Sequence, residues 1–435
     1  MRKFLKDKKT LKSCRIFHML KANANGTHLS FHTPGHKVGK WDITELSFSD
    51  NLASPTGCIA LAEKEIAEVL GAEKSFLLTD GSTSGVFSML HAARALGVKK
   101  IAAPVLSHQS FFNACELLGL TPVLFSSKRL EEIPLPVQTE ELLPALSDAD
   151  ALFLTSPDYY GNIPDLSSIR KLCEKEKKLL LIDGAHGGHL HFERRLYAGE
   201  YAHLWVDGVH KSLPALTQGA TVSASTKEGA NALQRAVNIF RTSSPSYPIM
   251  ASVEYAVKYP RNEKLEKRAR ALALSLKNAY ASGDWSKLCL RFENAEEIKN
   301  NLEKKGIYPE FIEGNLLVFY LSPATKQREL NTLEKILKRL EKNGLEFPKN
   351  GGETNPALSF LKETDGEWAT EEIPLLQAEG RICAKTCGLF PPCLPIILKG
   401  EKIEREKIEK LLKAPSTFGL RENTITVVKN NAKKG

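Results

Sequence analysis

Polar and apolar positions alternate along the chain in a way that predicts most of its elements. Ser75–Thr79 is a short apolar run, closed by the turn Asp80-Gly-Ser-Thr-Ser-Gly85, and helical spacing follows from Val86 to Leu96. The same alternation recurs. Lys100–Val105, Thr121–Phe125, Ala151–Thr155, Lys178–Asp183, Leu204–Asp207 and Gly219–Ala224 read as strands, while Gln109–Leu118 and Leu166 to about Glu176 read as helices. Short apolar strands separated by helices imply right-handed crossovers and a mostly parallel sheet covered on both faces. The functional residues of such a sheet lie beyond the carboxyl ends of its strands.

The flanking regions differ in texture. Residues 1–50 read as an arm and a loop: a short amphipathic helix over 10–23, then the Gly/His/Pro-rich stretch Phe31-His-Thr-Pro-Gly-His-Lys-Val-Gly39. A helix follows Pro55-Thr-Gly57 and runs to Leu70. The large α/β domain is assigned to 51–260, closing in a connector marked by Pro245 and Pro248. Residues 261–420 then combine a charged helix (Glu263–Tyr280), a short strand (Leu316–Leu321) and two more charged helices (Arg328–Asn343, Glu401–Leu412), which predicts a smaller α+β domain. Residues 421–435 read as a frayed polar tail.

Composition narrows the function classes. Hydrophobic residues make up 42% and charged residues 26%, as in an ordinary globular protein. The net charge of +9 is scattered rather than striped, which argues against a nucleic-acid partner. No apolar run reaches the length of a membrane span, and the basic start Met1–Lys12 lacks the apolar stretch of a secretory leader. The eight cysteines are dispersed, and the one cluster, Cys383, Cys387 and Cys393, lacks a zinc spacing. Reduced thiols and a cytoplasmic setting are expected.

The chemistry concentrates in three places. Asp183 ends a strand and opens Asp183-Gly-Ala-His-Gly-Gly-His-Leu-His-Phe192, a run whose three histidines invite a metal reading. Twenty-eight residues after Asp183 comes Lys211, set among small and apolar residues that would desolvate its amine and make it nucleophilic. Upstream, Gly81-Ser-Thr-Ser-Gly85 joins a strand to a helix start, a setting whose free N–H groups suit a phosphate. A Schiff-base lysine, an acid for a pyridine nitrogen and a phosphate cup are the three needs of pyridoxal phosphate. That combination accounts for the lysine, which a metal site does not; no metal is expected.

The residues resemble the Orn/Lys/Arg decarboxylases in their short form. The matching stretches are Phe31-His-Thr-Pro-Gly-His-Lys37, Asp80 to Gly85, Asp158-Tyr-Tyr-Gly161 with Pro164-Asp-Leu166, Asp183 to Leu190, His210-Lys-Ser-Leu-Pro-Ala-Leu-Thr-Gln-Gly219, Thr242 to Ser252, and Pro391-Pro392 with Pro395. The resemblance implies a fold-type I domain binding pyridoxal 5'-phosphate, a small C-terminal domain, and a homodimer or higher homo-oligomer with composite sites. It implies a cytoplasmic decarboxylase of lysine, arginine or ornithine in polyamine-type metabolism. By the same resemblance Lys211 holds the cofactor and Asp183 pairs with its pyridinium. Ala185 and His108 lie on the two ring faces, Ser82, Thr83 and His210 surround the phosphate, and His186 approaches the cofactor. His189 and His191 are expected to pack or hydrogen-bond locally.

The chain departs from the family pattern at Gln109, where lysine is usual, at Gly208, where a serine hydroxyl usually helps hold phosphate, at Lys385, where an acid is usual, and at Cys393-Leu394, where Gly-Ile is usual. Two rival readings follow. An aminotransferase on the same cofactor would need an arginine for the substrate carboxylate, with Arg241 and Arg381 as candidates. A divergent homologue without catalysis would keep only the fold.

Overall fold

A computed structural model describes residues 5–26, 29–37, 40–348, 368–390, 393–414 and 416–429. Its centre is a seven-stranded sheet of β1 (Lys74–Leu78), β2 (Lys100–Pro104), β3 (Thr121–Phe125), β4 (Ala151–Thr155), β5 (Leu179–Gly184), β6 (Leu204–Asp207) and β7 (Ala220–Ala224). The spatial order is β3-β2-β4-β5-β6-β7-β1. The pairs from β3 to β6 are parallel, and β7 runs antiparallel to both β6 and β1. The expected mostly parallel α/β architecture is therefore present.

Strand alternation divides the core into two layers. Leu152, Leu154, Leu180, Ile182 and Trp205 pack on one face, and Ala151, Phe153, Leu181, Leu204 and Val206 on the other. Both faces are buried, so these strands read as continuous apolar runs rather than as alternating ones. The helix Gly81–Ala95 crosses the second face. It starts five residues before the expected Val86, because the Gly/Ser/Thr stretch forms its opening turns instead of a loop. Gly85 permits the close approach: a Cβ there would stand 2.8 Å from Val206 Cγ1 and 2.9 Å from Leu78 Cδ1.

Two further expectations are corrected. The stretch with Pro245 and Pro248 holds a buried helix, Tyr247–Val257, capped by Ser246 and with Pro248 in its first turn. Proline is tolerated there because that N–H has no helical acceptor, and a helix buried all round carries no amphipathic period to read. The tail is not frayed from Arg421. Thr424–Val428 is a strand paired antiparallel with Thr370–Pro374, and its Ile425 and Val427 are buried.

After the helix Glu263–Ser275, an antiparallel sheet places Lys287–Arg291 and Leu316–Tyr320 side by side, flanked by Ala279–Tyr280 and Phe311–Glu313. A smaller sheet sets Cys387–Leu389 between Leu394–Ile397 and Thr417–Phe418. The Pro391-Pro392 pair and Val38-Gly39 of the quoted motifs lie outside the described residues, as do 430–435. No helix among the described residues is long and apolar enough to cross a membrane.

Candidate active site

The carboxyl ends of β1, β2, β4, β5 and β6 converge, and the chemistry-bearing residues sit there. At the end of β5, Asp183 is buried, and its Oδ1 accepts the Ala185 N–H at 3.0 Å. Its backbone is pinned from β4, where Ser156 N–H donates to Asp183 O at 3.1 Å. No other described donor bonds the Asp183 carboxylate. Burial pushes its pKa up, and the nearby Lys211 cation opposes the shift.

Past β6 the chain turns at Gly208 into the short helix Val209–Ser212, which carries Lys211 to the same end of the sheet. Gly208 is required by proximity: a Cβ would lie 2.3 Å from the Ala185 carbonyl oxygen. Lys211 Nζ stands 3.2 Å from His186 Nε2. Burial depresses the lysine's pKa, against the pull of Asp183, Glu310 and Cys393, with Lys287 adding to the depression. Burial likewise holds His186 well below the usual histidine range, assisted by the charges of Lys211 and Lys287. The pair thus favours a neutral imidazole beside an amine that gives up its proton more readily than an exposed lysine.

His108 caps the helix Gln109–Leu118, its Nδ1 accepting the Ser110 N–H at 3.1 Å and lying 2.8 Å from Ser110 Oγ. That cap fixes which ring nitrogen remains available. Burial, then the Lys211 charge, lowers the pKa of His108 to about 4, and the same two causes bring His210 to about 4. Ser82 and Thr83 lie in the first turn of Gly81–Ala95. That turn is tied to the Lys211 loop, since Gly81 N–H donates to Gln218 O at 2.9 Å and His210 N–H to Gly219 O at 3.0 Å. Neither hydroxyl is bonded to another described residue, and first-turn N–H groups lack helical acceptors. A buried carboxylate with lone pairs to spare, a desolvated amine and the N–H groups of a helix N-terminus suit pyridoxal phosphate at three separate points.

The three histidines that open a metal reading go to three different partners. His186 meets Lys211, His189 Nε2 lies 2.8 Å from Asp284 Oδ1, and the His191 ring bonds Gly188 O at 2.7 Å. His189 and His191 are bonded and packed locally, as expected. His32 is half-buried and His36 exposed, and His36 Nε2 lies 3.1 Å from Asp42 Oδ2. Arg241 is not at the surface. It is buried, bonding Glu63 at 3.3 Å, Leu77 O at 3.2 Å and Leu52 O. Arg381 bonds Glu371 at 2.5 Å and Val428 O at 2.8 Å.

Sequence reasoning missed two aromatic walls. Tyr159 and Tyr320 flank His186, with ring centroids at 4.7 and 5.6 Å. Tyr159 stands inside the quoted Asp158-Tyr-Tyr-Gly161 motif and could have been singled out. Tyr320 ends an ordinary apolar strand more than a hundred residues later, and nothing in its neighbours marks it.

Residues 40–289 match the family model described as Orn/Lys/Arg decarboxylase, major domain. The arginine decarboxylase of Bacillus subtilis (strain 168) is 27% identical over 92% of this chain and 93% of its own. A protein of the same organism named YaaO, described as uncharacterized, is 26% identical over 91% and 93%. Among solved structures, the constitutive lysine decarboxylase of E. coli superposes with a TM-score of 0.74 at 17% identity, covering 96% of this chain and 82% of that one.

Proposed function

The chain belongs to the Orn/Lys/Arg decarboxylase family, and from that premise we propose that it removes carbon dioxide from a basic amino acid at the carboxyl end of the central sheet. The cofactor is pyridoxal 5'-phosphate, which supplies an electron sink for the pair left behind when the carboxylate departs. Lys211 anchors that cofactor through Nζ. Asp183, acceptor-only when ionised, would hold a proton on the cofactor's ring nitrogen. Ala185 and His108 would hold the cofactor's ring between them, Ala185 because its side chain is small. Ser82 and Thr83, at a helix N-terminus, hold the phosphate with His210 beside it. His186 Nε2, beside Lys211 Nζ, is the partner through which the amine exchanges the proton that replaces the lost carboxylate on Cα.

The observation that carries this reading is the Lys211–His186 contact of 3.2 Å above a buried Asp183. The aminotransferase reading is weakened because Arg241 and Arg381 are both engaged elsewhere. The working unit is taken as a homodimer or larger homo-oligomer, with 51–260 as the cofactor domain and 261–420 as the smaller one.

The test is to incubate purified, cofactor-loaded protein with lysine, arginine, ornithine and a neutral amino acid, and to measure carbon dioxide and amine together. Equal amounts of both from one basic substrate are expected. A keto acid product would replace this reading with transamination. Bound cofactor with no product from any substrate would leave a non-catalytic homologue.

A further inference from the structure

Lys287 is a second buried lysine close to the site. It opens the strand Lys287–Arg291, and its side chain is fully enclosed. Gly161 makes room for its stem, since a Cβ there would stand 3.0 Å from Lys287 Cβ and Cγ. Its Nζ donates to Ser286 Oγ at 3.0 Å, lies 3.5 Å from Asp284 Oδ2, and sits over the Tyr320 ring, 4.1 Å from the centroid. The same Tyr320 ring packs edge-on to His186, with 5.6 Å between centroids, and its hydroxyl donates to Tyr159 O at 2.9 Å. One aromatic ring therefore separates Lys287 from the imidazole that contacts Lys211.

We infer that Lys287 is a positioning residue for the Lys211–His186 pair: its ammonium, lodged behind Tyr320, sets the pH at which the Lys211 amine is free to react. The inference rests on the reading of Lys211 as the reactive amine. Burying an ammonium is costly, and an apolar side chain of similar volume would pack the space without that cost. Asp284 only partly offsets the charge, because its Oδ1 is given to His189 and to the Ser286 N–H, both at 2.8 Å. The groups facing Lys211 are Asp183, Glu310 and Cys393, which favour its charged form, and Lys287, which opposes it. His108, His186 and His210 stand near as neutral rings. At an effective dielectric of about 20, an unscreened like charge on the far side of one aromatic ring displaces a titration by about one pH unit, and Asp284 makes that an upper value.

The test uses Lys287→Met and Lys287→Gln, two neutral variants that pack differently, with Lys287→Arg as the variant that keeps the charge. In the full chain stripped of cofactor, an amine reagent such as trinitrobenzenesulfonate is titrated against pH, and modification at Lys211 is read by peptide mass. The neutral variants should move the midpoint upward, by up to about one pH unit. Lys287→Arg should leave it near that of the parent. An unchanged midpoint in a neutral variant with parental circular dichroism overturns the inference. So does a shift in Lys287→Arg equal to that of the neutral variants, which would mark a packing effect. If Lys211 in the parent titrates like a surface lysine, the reading of Lys211 as the reactive amine fails instead.

Discussion

Lys211 and Lys287 are both lysines taken out of water, but their surroundings differ. Lys211 follows a parallel strand of the central sheet, and its nearest polar neighbour is a neutral imidazole at 3.2 Å. Lys287 begins a strand of the antiparallel sheet and has a hydroxyl at 3.0 Å, a carboxylate at 3.5 Å and a ring face at 4.1 Å. Both surroundings keep buried polar groups without hydrogen-bond partners: Thr155 Oγ1, Ser156 Oγ and His186 Nδ1 at the sheet end, and Asp284 Oδ2 and His189 Nδ1 near Lys287. Desolvation makes an amine less basic, and nearby acids only oppose that shift. What distinguishes the two lysines is their bonding, not their depth.

The strongest way to break this comparison is to remove Lys211. Lys211→Ala should lower carbon dioxide release by at least about 10³-fold. Borohydride treatment of cofactor-loaded protein should fix the cofactor's mass on the peptide holding Lys211 in the parent and on no peptide in the variant. A label on Lys287 in the variant would mean that the two lysines are interchangeable. The acids beside the lysines should separate as well. Asp183→Asn should cost about 10²–10³-fold in kcat, because a charge aimed at the reacting system is lost, with little change in melting temperature. Asp284→Asn should instead destabilise the fold by about 3–5 kcal/mol in urea unfolding, since it leaves Lys287 without its carboxylate in a closed interior. Equal effects of the two substitutions on stability would erase the distinction.

The two regions were also unequally legible in the sequence. β3, β4 and β6 and the helix Gln109–Leu118 match their expected ranges to the residue, because short apolar runs between turn residues leave little choice of register. Asp183 and Lys211 were legible because each closely follows such a run. Lys287 and Tyr320 were not. Each is a single residue in an apolar strand; Tyr320 meets His186, and Lys287 meets Tyr320, only through folding of segments more than a hundred positions from His186. The tail strand Thr424–Val428 was hidden for a related reason: its pairing partner lies about fifty residues earlier, and alone it is a short polar-flanked run. The family resemblance supplied roles for His108, Ser82 and Thr83 that spacing alone does not give.

Gly208 sharpens the comparison at the Lys211 side. Where the family pattern has serine, restoring the hydroxyl should improve phosphate binding if only hydrogen bonding mattered. The Ala185 carbonyl, 2.3 Å from the position of a new Cβ, makes the opposite outcome expected. Gly208→Ser must displace the end of β5 and with it Asp183, at a cost of about 1–3 kcal/mol. Cofactor affinity, measured by titrating stripped protein, should fall about tenfold. A rise in affinity would show that the strand end yields easily and that the missing hydroxyl was the larger loss.

The smallest effect concerns pH and two buried carboxyls, Asp207 and Asp284. Asp207, at the end of β6, accepts from Tyr197 Oη at 2.6 Å and Trp205 Nε1 at 3.1 Å, yet burial raises its pKa to about 7. Its protonated form is favoured in the folded chain, so its contribution to stability is present at low pH and is lost as pH rises through about 7. Asp284 is the opposite case. His189 and Lys287 overcome burial and hold it well below the usual range, so its contribution is present above about pH 4 and is lost as pH falls below that. Unfolding free energies followed from pH 3 to pH 8 should therefore separate Asp207→Asn from Asp284→Asn. The parent should lose stability relative to Asp207→Asn between about pH 4 and pH 7, and should lose its advantage over Asp284→Asn only on the acid side. Parallel curves for the two variants would mean that both carboxyls sit in equivalent surroundings, which the unlike bonding of Lys211 and Lys287 does not allow.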